Sequence, residues 1–395
     1  MRAYLDHAAT TPLRAEARDA WLAATETVGN ASSIHGGGQD ARRLLEESRE
    51  RLAVVLDCDP VELVFTSGGT ESVNLGLKGL WWSRPADRDT VVLPDGEHHA
   101  TLDSVDWLRA HEHARVRPVA LDAQARIDPA RFAEACAAPG VALATALAAN
   151  NEAGTINDAR ALADGASIAG VPLHLDAIAV LGHAPLSFRR WRADAASATG
   201  LVALSVSGHK VGAPVGIGAL VVARSVTPAA LLHGGGQQRG LRSGTQDVAG
   251  AAAFAVAAEL AEAEREAEAE RLGGLRRSLW RGIRSIVPAA ELLGDPVDRL
   301  PGSVHVLFPD AAGDALLFLM DRAGVAVSTG SACQAGVPEP SHVVVAMGRG
   351  EAAARSVLRV TLGRTSTAAD VEAFLAALPD AHARASGASA RAAAR

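Results

Sequence analysis

Lysine is rare in this chain, and one of its two lysines lies where an amine could do chemistry. Of the 38 lysine and arginine residues, only Lys78 and Lys210 are lysines. Lys210 ends the sequence SGHK, which follows the apolar run Leu201–Val206 and precedes a glycine-rich loop. A lysine at the end of a buried strand is desolvated, which lowers the pKa of its amine and favours Schiff-base chemistry. The alternative is an ordinary surface lysine, which is what we expect of Lys78 on its amphipathic stretch.

The segment Ser67–Ser72 has the composition of an anion-binding turn. It follows the predicted strand Glu62–Thr66 and opens a helical stretch. Small residues let backbone N–H groups approach an anion, and the N-terminus of a helix favours negative charge. The segment therefore predicts a phosphate cradle, with a capped strand-to-helix turn as the alternative. It lacks the lysine of a Walker A loop, which disfavours an NTPase.

Asp176 and His98 also follow predicted strands. Asp176 ends the sequence LHLD, and a carboxylate there would keep a pyridine nitrogen protonated if Lys210 carried pyridoxal phosphate. A turn acid or a helix N-cap is the alternative for Asp176. The imidazole of His98 can stack on an aromatic cofactor and exchange protons, whereas a structural histidine or a metal ligand are its alternatives. Because no paired metal-ligand motif such as HExxH is present, we predict no metal site.

Two further segments offer groups that bind carboxylates. Asn151 lies in the sequence NNE that closes the strand Val141–Ala148 and carries amide donors. Arg359 lies inside the predicted strand Ser356–Leu362. Burying a guanidinium is costly unless it meets an anion, and its fork matches a carboxylate. A substrate carboxylate and an intrachain salt bridge both remain open for Arg359.

Cys333 is the cysteine whose surroundings favour chemistry. It lies in the sequence STGSACQAG, a loop of small residues after the predicted strand Val325–Ser328. A cysteine on a polar, glycine-rich loop is accessible and can act as a nucleophile. Loop position alone does not distinguish such a thiol from an ordinary exposed one.

The strands that must position these residues alternate with helical stretches between about residues 60 and 225. This alternation indicates an α/β fold with a mostly parallel sheet covered by helices on both faces. In such sheets ligands bind beyond the carboxyl ends of the strands. The seven predicted strands are Glu62–Thr66, Thr90–Leu93, Val116–Leu121, Val141–Ala148, Val171–Leu175, Leu201–Val206 and Gly218–Val222.

A smaller α+β domain is predicted after a long charged helix. The helix runs from about 247 to 286 and reads as a solvated link between the domains. Three strands (303–308, 325–328, 356–362) then alternate with three helices (314–322, 341–347, 367–378). Residues 384–395 are of low complexity, and we predict a disordered tail there.

Composition excludes several functional classes. The chain has 395 residues, enough for two or three domains, and a net charge of −7 without any basic run, which argues against a nucleic-acid-binding protein. Its three cysteines are widely separated, which favours free thiols in a reducing compartment. The N-terminal residues lack the apolar core of a signal peptide, and no apolar stretch is long enough to span a bilayer. We therefore expect a cytoplasmic protein with no membrane partner.

Taken together, these segments resemble the cysteine desulfurases of the class V aminotransferase family, which are fold-type I enzymes dependent on pyridoxal 5'-phosphate. Each motif is short, but they occur in the family's order over nearly the whole chain. The loop 328–333 is similar to the group with a long, flexible catalytic-cysteine loop. The matching strings are YLDHAATTP (4–12), NASSIH (30–35), FTSGGTES (65–72), NNE (150–152), SGHK (207–210), HGGG (233–236), RSGT (242–245) and RVTLGR (359–364).

For the cofactor, the resemblance implies that Lys210 binds its aldehyde as a Schiff base. Asp176 would contact the pyridine nitrogen, and His98 would stack over the ring and take part in catalysis. Thr245 would reach the phosphate of the cofactor in the partner subunit, which implies a homodimer. The phosphate would be held by Gly69, Thr70, Ser207 and His209.

For the substrate, the resemblance implies L-cysteine, with its carboxylate oriented by Asn151, which also borders the cofactor, and by Arg359. Cys333 would be the nucleophile. The expected reaction converts L-cysteine to L-alanine and forms a persulfide on Cys333. The persulfide would pass to an acceptor protein for iron–sulfur cluster assembly or tRNA thiolation. Alternatives are another class V enzyme, such as a selenocysteine lyase or a small-amino-acid aminotransferase, and a non-catalytic sulfur-relay protein.

The resemblance also implies domain bounds and exposes departures from the family's pattern. We expect a large cofactor-binding domain over 12–250 and a small domain over 1–11 and 251–383, with 251–286 as the linking helix. Ala179 stands where the family usually has a glutamine that bonds the cofactor's phenolic oxygen. An alanine cannot donate that hydrogen bond, so we expect altered tuning of the cofactor.

Overall fold

The computed structural model describes residues 2–192, 197–330 and 339–393. The strands are β1 (Ala3–Tyr4), β2 (Leu63–Thr66), β3 (Thr90–Pro94), β4 (Arg115–Val119), β5 (Val141–Leu147), β6 (Pro172–Asp176), β7 (Gly200–Ser207), β8 (Gly218–Val222), β9 (Glu291–Leu293), β10 (Ser303–Leu307), β11 (Val325–Ala326) and β12 (Val357–Thr361). The helices are α1 (Ala15–Thr25), α2 (Gly36–Leu56), α3 (Gly69–Trp82), α4 (His99–Glu112), α5 (Pro129–Cys136), α6 (Ala159–Ile168), α7 (Phe188–Arg192), α8 (Val248–Ile286), α9 (Gly313–Arg322), α10 (His342–Ala346), α11 (Gly350–Ala354) and α12 (Ala368–Ala393).

A seven-stranded sheet forms the centre of the larger part of the molecule. Its strand order is β2-β8-β7-β6-β5-β3-β4, and only β8 runs antiparallel to its neighbours. Strands β5 and β7 are buried along their whole length because helices cover both faces of the sheet. The predicted mostly parallel α/β sheet is confirmed, and each predicted strand matches an observed one within two residues at either end.

Three neighbouring parallel strands bring the predicted site residues to one edge. Strands β5, β6 and β7 lie side by side, with Leu147 paired with Asp176 and Asp176 paired with Ser205. The segments that follow these strands therefore leave the sheet next to one another.

The rest of the chain forms smaller sheets around a second core. Strands β12, β10 and β9 form an antiparallel sheet, and the N-terminal β1 pairs in parallel with β11. The first half of α8 packs into the larger core, whereas Leu272, Leu279 and Ile283 from its second half pack into the smaller core. The domain bounds given above stay a prediction.

The C-terminal region differs from the sequence prediction. Helix α12 continues through Pro379 to Ala393, past residue 384, where we predicted a disordered tail. Alanine and arginine are strong helix formers, and Ala381 and Ala385 are buried against the smaller core. Low sequence complexity therefore does not prevent order here. Within the described residues, no helix is both long and apolar enough to cross a membrane.

Candidate active site

A cavity of about 340 Å³ opens at the carboxyl ends of the central strands. It brings together most of the residues singled out from the sequence, although they come from six separate stretches of the chain. The nine that line it are Gly69, Thr70, His98, Asn151, Asp176, Ser207, His209, Lys210 and Arg359. The meeting of the first eight follows from the parallel order of the strands that precede them, whereas Arg359 comes from β12 of the smaller sheet.

Lys210 ends a single turn of 3-10 helix directly after β7. Its amine donates hydrogen bonds to the carbonyl oxygens of Ala8 and Ala9, the latter at 3.0 Å. Both carbonyls belong to the N-terminal segment, which also borders the cavity. The amine therefore lies at the cavity wall, held by neutral acceptors.

Asp176 is the buried carboxylate of the cavity. It is only 2% exposed, and its Oδ1 accepts a hydrogen bond from the Ile178 backbone N–H at 2.9 Å. Burial raises the pKa of Asp176 to about 6, while this hydrogen bond and the nearby Lys210 act in the opposite direction. A carboxylate kept in such a place can hold a proton on a neighbouring basic nitrogen.

His98 is the N-cap residue of α4. Its Nδ1 accepts a hydrogen bond from the Ala100 backbone N–H at 3.0 Å, so the neutral ring carries its proton on Nε2. Burial lowers the pKa of His98 to about 4, and the positive charge of Lys210 adds to that effect. A neutral imidazole is suited to lie against a ring and to accept a proton.

The segment predicted to bind an anion joins β2 to the first turn of α3. A Cβ on Gly69 would lie 2.4 Å from Cδ1 of Ile178 and 3.4 Å from Cβ of Ser207, so a larger residue would collide with Ile178 at this position. The Ser207 hydroxyl is buried and has no hydrogen-bond partner among the residues that the structure describes. His209 contributes to the same wall, with Nδ1 3.2 Å from the hydroxyl of Thr10, and burial lowers the pKa of His209 to about 4.

Arg359 forms an intrachain salt bridge, one of the two interpretations that its sequence left open. Its guanidinium lies 3.1 Å from Oδ1 of Asp6 and donates to the backbone carbonyl of Asn151, also at 3.1 Å. It also lines the cavity, and its Nε has no partner within the described part of the chain. The arginine is thus held in place by an intrachain ion pair while it borders the cavity.

Among the described residues, one predicted site residue does not line this cavity. Thr245 is exposed in the loop before α8 and is not among the lining residues. Cys333 falls within 331–338, outside the described residues.

The sequence reasoning missed four buried groups at or beside the cavity. His7 and His183 line it, and burial lowers the pKa of both, to about 4 for His7. Glu97 and Glu152 are each 1% exposed, and burial raises the pKa of Glu97 to about 8. In sequence, Glu97 directly precedes His98 and Glu152 directly follows Asn151. Their position next to residues that follow strands could therefore have identified them as candidates. His7 and His183 carried no comparable strand-end signal.

The residues present fit pyridoxal phosphate, the cofactor that the resemblance implies. The unpartnered Ser207 hydroxyl borders the cavity together with Gly69, the first residue of α3, and a phosphate is favoured at the N-terminus of a helix. Lys210 supplies an amine, and Asp176 a buried carboxylate, at the same cavity. Ala179 also lines the cavity, so the expected hydrogen bond from a glutamine is missing at this site.

Comparison with known proteins agrees with this arrangement. The family profile described as aminotransferase class-V matches residues 3–374. An IscS-like cysteine desulfurase from Mycobacterium tuberculosis is 47% identical over 389 residues, covering 97% of this chain and 97% of that protein.

Solved structures of similar proteins have the same fold as this chain. A structure titled NifS-like protein has a TM-score of 0.88 and 30% identity, covering 96% of this chain and 99% of its own. A structure titled SspA in complex with cysteine has a TM-score of 0.79 and 28% identity, covering 93% of this chain and 100% of its own.

Proposed function

This chain belongs to the aminotransferase class-V family and is a cysteine desulfurase dependent on pyridoxal phosphate; from that premise we propose that Lys210 and Cys333 carry its two chemical steps. The observation that carries the proposal is the meeting of Lys210 and Asp176 at one cavity, on segments that leave neighbouring strands β7 and β6. An amine and a buried carboxylate in this arrangement match the two ends of one cofactor.

Different residues of the cavity would bind different parts of the cofactor. Lys210 would form the covalent bond to its aldehyde, Asp176 would hold the proton at its pyridine nitrogen, and His98 would lie against its ring. Gly69, Thr70, Ser207 and His209 would hold its phosphate. When bound, pyridoxal phosphate supplies an electron sink for the bonds at the substrate's Cα.

The substrate is held by its carboxylate. Arg359 borders the cavity with its guanidinium fixed by Asp6, and a planar fork binds a carboxylate through two parallel hydrogen bonds. Asn151 supports the same end of the substrate. The Lys210 amine would move the proton at the substrate's Cα.

Cys333 is the nucleophile of the sulfur-transfer step. Its thiolate attacks Sγ of L-cysteine, the Cβ–Sγ bond breaks, and the electron pair remains with the three-carbon unit, which takes up a proton and leaves as L-alanine. The product on the enzyme is a persulfide of Cys333. The described cysteines, Cys58 and Cys136, are buried away from the cavity, and burial raises the pKa of both thiols, to about 12 for Cys136, which suits neither for nucleophilic attack.

The substitution Cys333→Ala tests this assignment. We expect the variant to keep the visible absorbance of the bound cofactor and to lose alanine formation from L-cysteine in the presence of a reductant. Cys58→Ala, which removes a buried thiol outside the cavity, is the matched control and should keep turnover. Full turnover by Cys333→Ala would contradict the assignment, and turnover that required a keto acid would favour an aminotransferase.

The fate of the sulfur is part of the proposal. We propose that the persulfide passes to an acceptor protein for iron–sulfur cluster assembly or tRNA thiolation, in a reducing compartment such as the cytoplasm. The free, buried thiols of Cys58 and Cys136 support a reducing compartment.

A homodimer is proposed on the same basis. Thr245 is exposed and lies outside the cavity of its own chain, which suits a residue that reaches the cofactor phosphate of the partner subunit. Val28 and Ile34 are 88% and 92% exposed, and large apolar side chains this open favour a covered interface. Light scattering after size-exclusion chromatography should give twice the chain mass of 40.5 kDa, and a monomer would contradict the dimer.

A further inference from the structure

One buried carboxylate, that of Glu152, contacts described residues on both sides of the segment that carries Cys333. Residues 331–338 lie outside the described part of the chain, and Gly330 and Ser341 flank them closely. Glu152 follows β5 and is 1% exposed. Its backbone N–H donates to Oδ1 of Asn150 at 3.0 Å, which fixes Glu152 to the edge of the central sheet.

The C-terminal end of the segment is held by a hydrogen bond. Ser341 is fully buried, and its hydroxyl donates to Oε2 of Glu152 at 2.5 Å. The same hydroxyl accepts the backbone N–H of Val344 at 3.2 Å, so it joins the first turn of α10 to the carboxylate. His342 adds a second connection, because its Nε2 donates to the backbone carbonyl of Glu97 at 2.9 Å.

The N-terminal end of the segment packs against the same oxygen. Gly330 has φ of +95°, and a Cβ built there would lie 2.8 Å from Oε2 of Glu152. Its backbone N–H donates to Oγ of Ser328 at 3.1 Å, and Ser328 exchanges two backbone hydrogen bonds with Arg359. Gly330 therefore lies close to Glu152 and is connected through Ser328 to the strand that carries Arg359.

Both contacts are made by the same oxygen, Oε2, of one buried carboxylate. Burying a carboxylate is costly, so its retention here calls for a function beyond packing.

Resting on the proposed role of Cys333, we propose that Glu152 is a positioning residue for sulfur transfer. Its carboxylate accepts the hydrogen bond of Ser341 and packs against Gly330, so it positions described residues on either side of the cysteine segment. Correct placement of a nucleophile is worth orders of magnitude in rate, so displacing these residues should slow the attack on Sγ without affecting how L-cysteine binds.

Single-turnover measurements on the holoenzyme test this role. Persulfide on Cys333 is followed by mass spectrometry, and L-cysteine binding by the change in the cofactor's visible absorbance. Glu152→Ala and Gly330→Ala should each slow persulfide formation about tenfold or more, with the Kd for L-cysteine changed less than about twofold. Glu152→Gln keeps an oxygen that accepts from Ser341 and should restore most of the rate. Glu134→Ala, on the exposed face of α5, is the matched control.

The outcomes separate this proposal from the assignment of Cys333. A wild-type rate in both Glu152→Ala and Gly330→Ala would overturn the positioning role while leaving Cys333 as the nucleophile. An equal loss of L-cysteine binding and persulfide formation would also overturn it, because it would show general damage to the cavity. Absence of persulfide on Cys333 in the wild-type enzyme would instead mean that the proposed function itself had failed.

Discussion

The guanidinium of Arg359 and the carboxylate of Asp6 lie 3.1 Å apart, although 353 residues separate them in sequence. A bridge between Asp6 and Thr361 brings the N-terminal segment alongside β12 and makes this contact possible. The pair is largely buried, with 6% of the arginine side chain and 20% of the aspartate side chain exposed. The N-terminus thus holds the arginine to which we assign the substrate's carboxylate.

Asp6→Asn should weaken substrate binding more than it slows the chemistry. The substitution keeps the size of the side chain but removes the charge that fixes Arg359, so L-cysteine must order the guanidinium itself. We expect KM for L-cysteine to rise about tenfold, with a smaller fall in kcat. Steady-state alanine formation measures both constants, and Asp19→Asn on the exposed face of α1 is the control. An unchanged or lower KM would mean that Asp6 competes with the substrate and does not orient Arg359.

Ser207→Ala should separate cofactor binding from folding. The hydroxyl is buried without a partner among the described residues, so its removal should leave the Tm of the cofactor-free protein unchanged or raise it. The cofactor's phosphate loses a hydrogen bond worth about 1.5 kcal/mol, which corresponds to about tenfold in Kd. Thermal unfolding and absorbance titration with pyridoxal phosphate measure the two effects. A lower Tm together with an unchanged Kd would assign Ser207 a structural role only.

Glu97→Gln should remove part of the pH dependence of stability. Burial raises the pKa of Glu97 from 4.5 to about 8, so between these values the folded protein binds a proton that the unfolded chain has lost. The free energy of unfolding therefore falls as pH rises through this window, by up to about 1.4 kcal/mol per pH unit from this group. The glutamine variant lacks this contribution.

Urea unfolding of the cofactor-free proteins below, within and above the window checks this prediction. The wild type should lose more stability than Glu97→Gln as pH rises from 4.5 to about 8. Glu50→Gln, at an exposed position of α2, should follow the wild type. Parallel curves for wild type and Glu97→Gln would show that Glu97 does not take up a proton on folding.

Replacing each of the two lysines with arginine gives a test variant and its control. Arginine cannot form the covalent bond to the cofactor's aldehyde, so Lys210→Arg should abolish alanine formation. Lys78 Nζ lies 4.6 Å from the centroid of the Trp107 ring, and a guanidinium can keep that cation–π contact. Lys78→Arg should therefore hold kcat/KM within about twofold and Tm within about 2 °C. Residual turnover in Lys210→Arg, checked against Lys78→Arg, would remove Lys210 from its proposed role.

The sheet and most of the cavity could be predicted because they depend on local patterns. A parallel strand buried on both faces appears as an apolar run, as Val141–Leu147 does, and the polar residues that follow such runs meet at one edge of the sheet. Asp176, Lys210 and Asn151 were found in this way, and each lines the cavity.

The remainder depends on contacts between distant segments, which leave no local signal. The ion pair of Asp6 with Arg359 and the hydrogen bond of Glu152 with Ser341 join segments that the tertiary fold alone brings together. Helix α12 differs in another way, because a local pattern predicted disorder where the structure has a helix. Its last residues were predicted as disordered from composition, whereas burial of Ala381 and Ala385 against the smaller core supplies the missing stabilisation.

Sulfur-labelled L-cysteine tests the central claim most directly. The enzyme is mixed, without reductant, with one equivalent of substrate that carries a heavy sulfur isotope. The mass of the peptide containing Cys333 is then measured by mass spectrometry, and the alanine released is quantified. We predict one labelled sulfur atom on Cys333 for each alanine released, and none on Cys58 or Cys136. Alanine formed in full with no labelled sulfur on Cys333 would contradict the account.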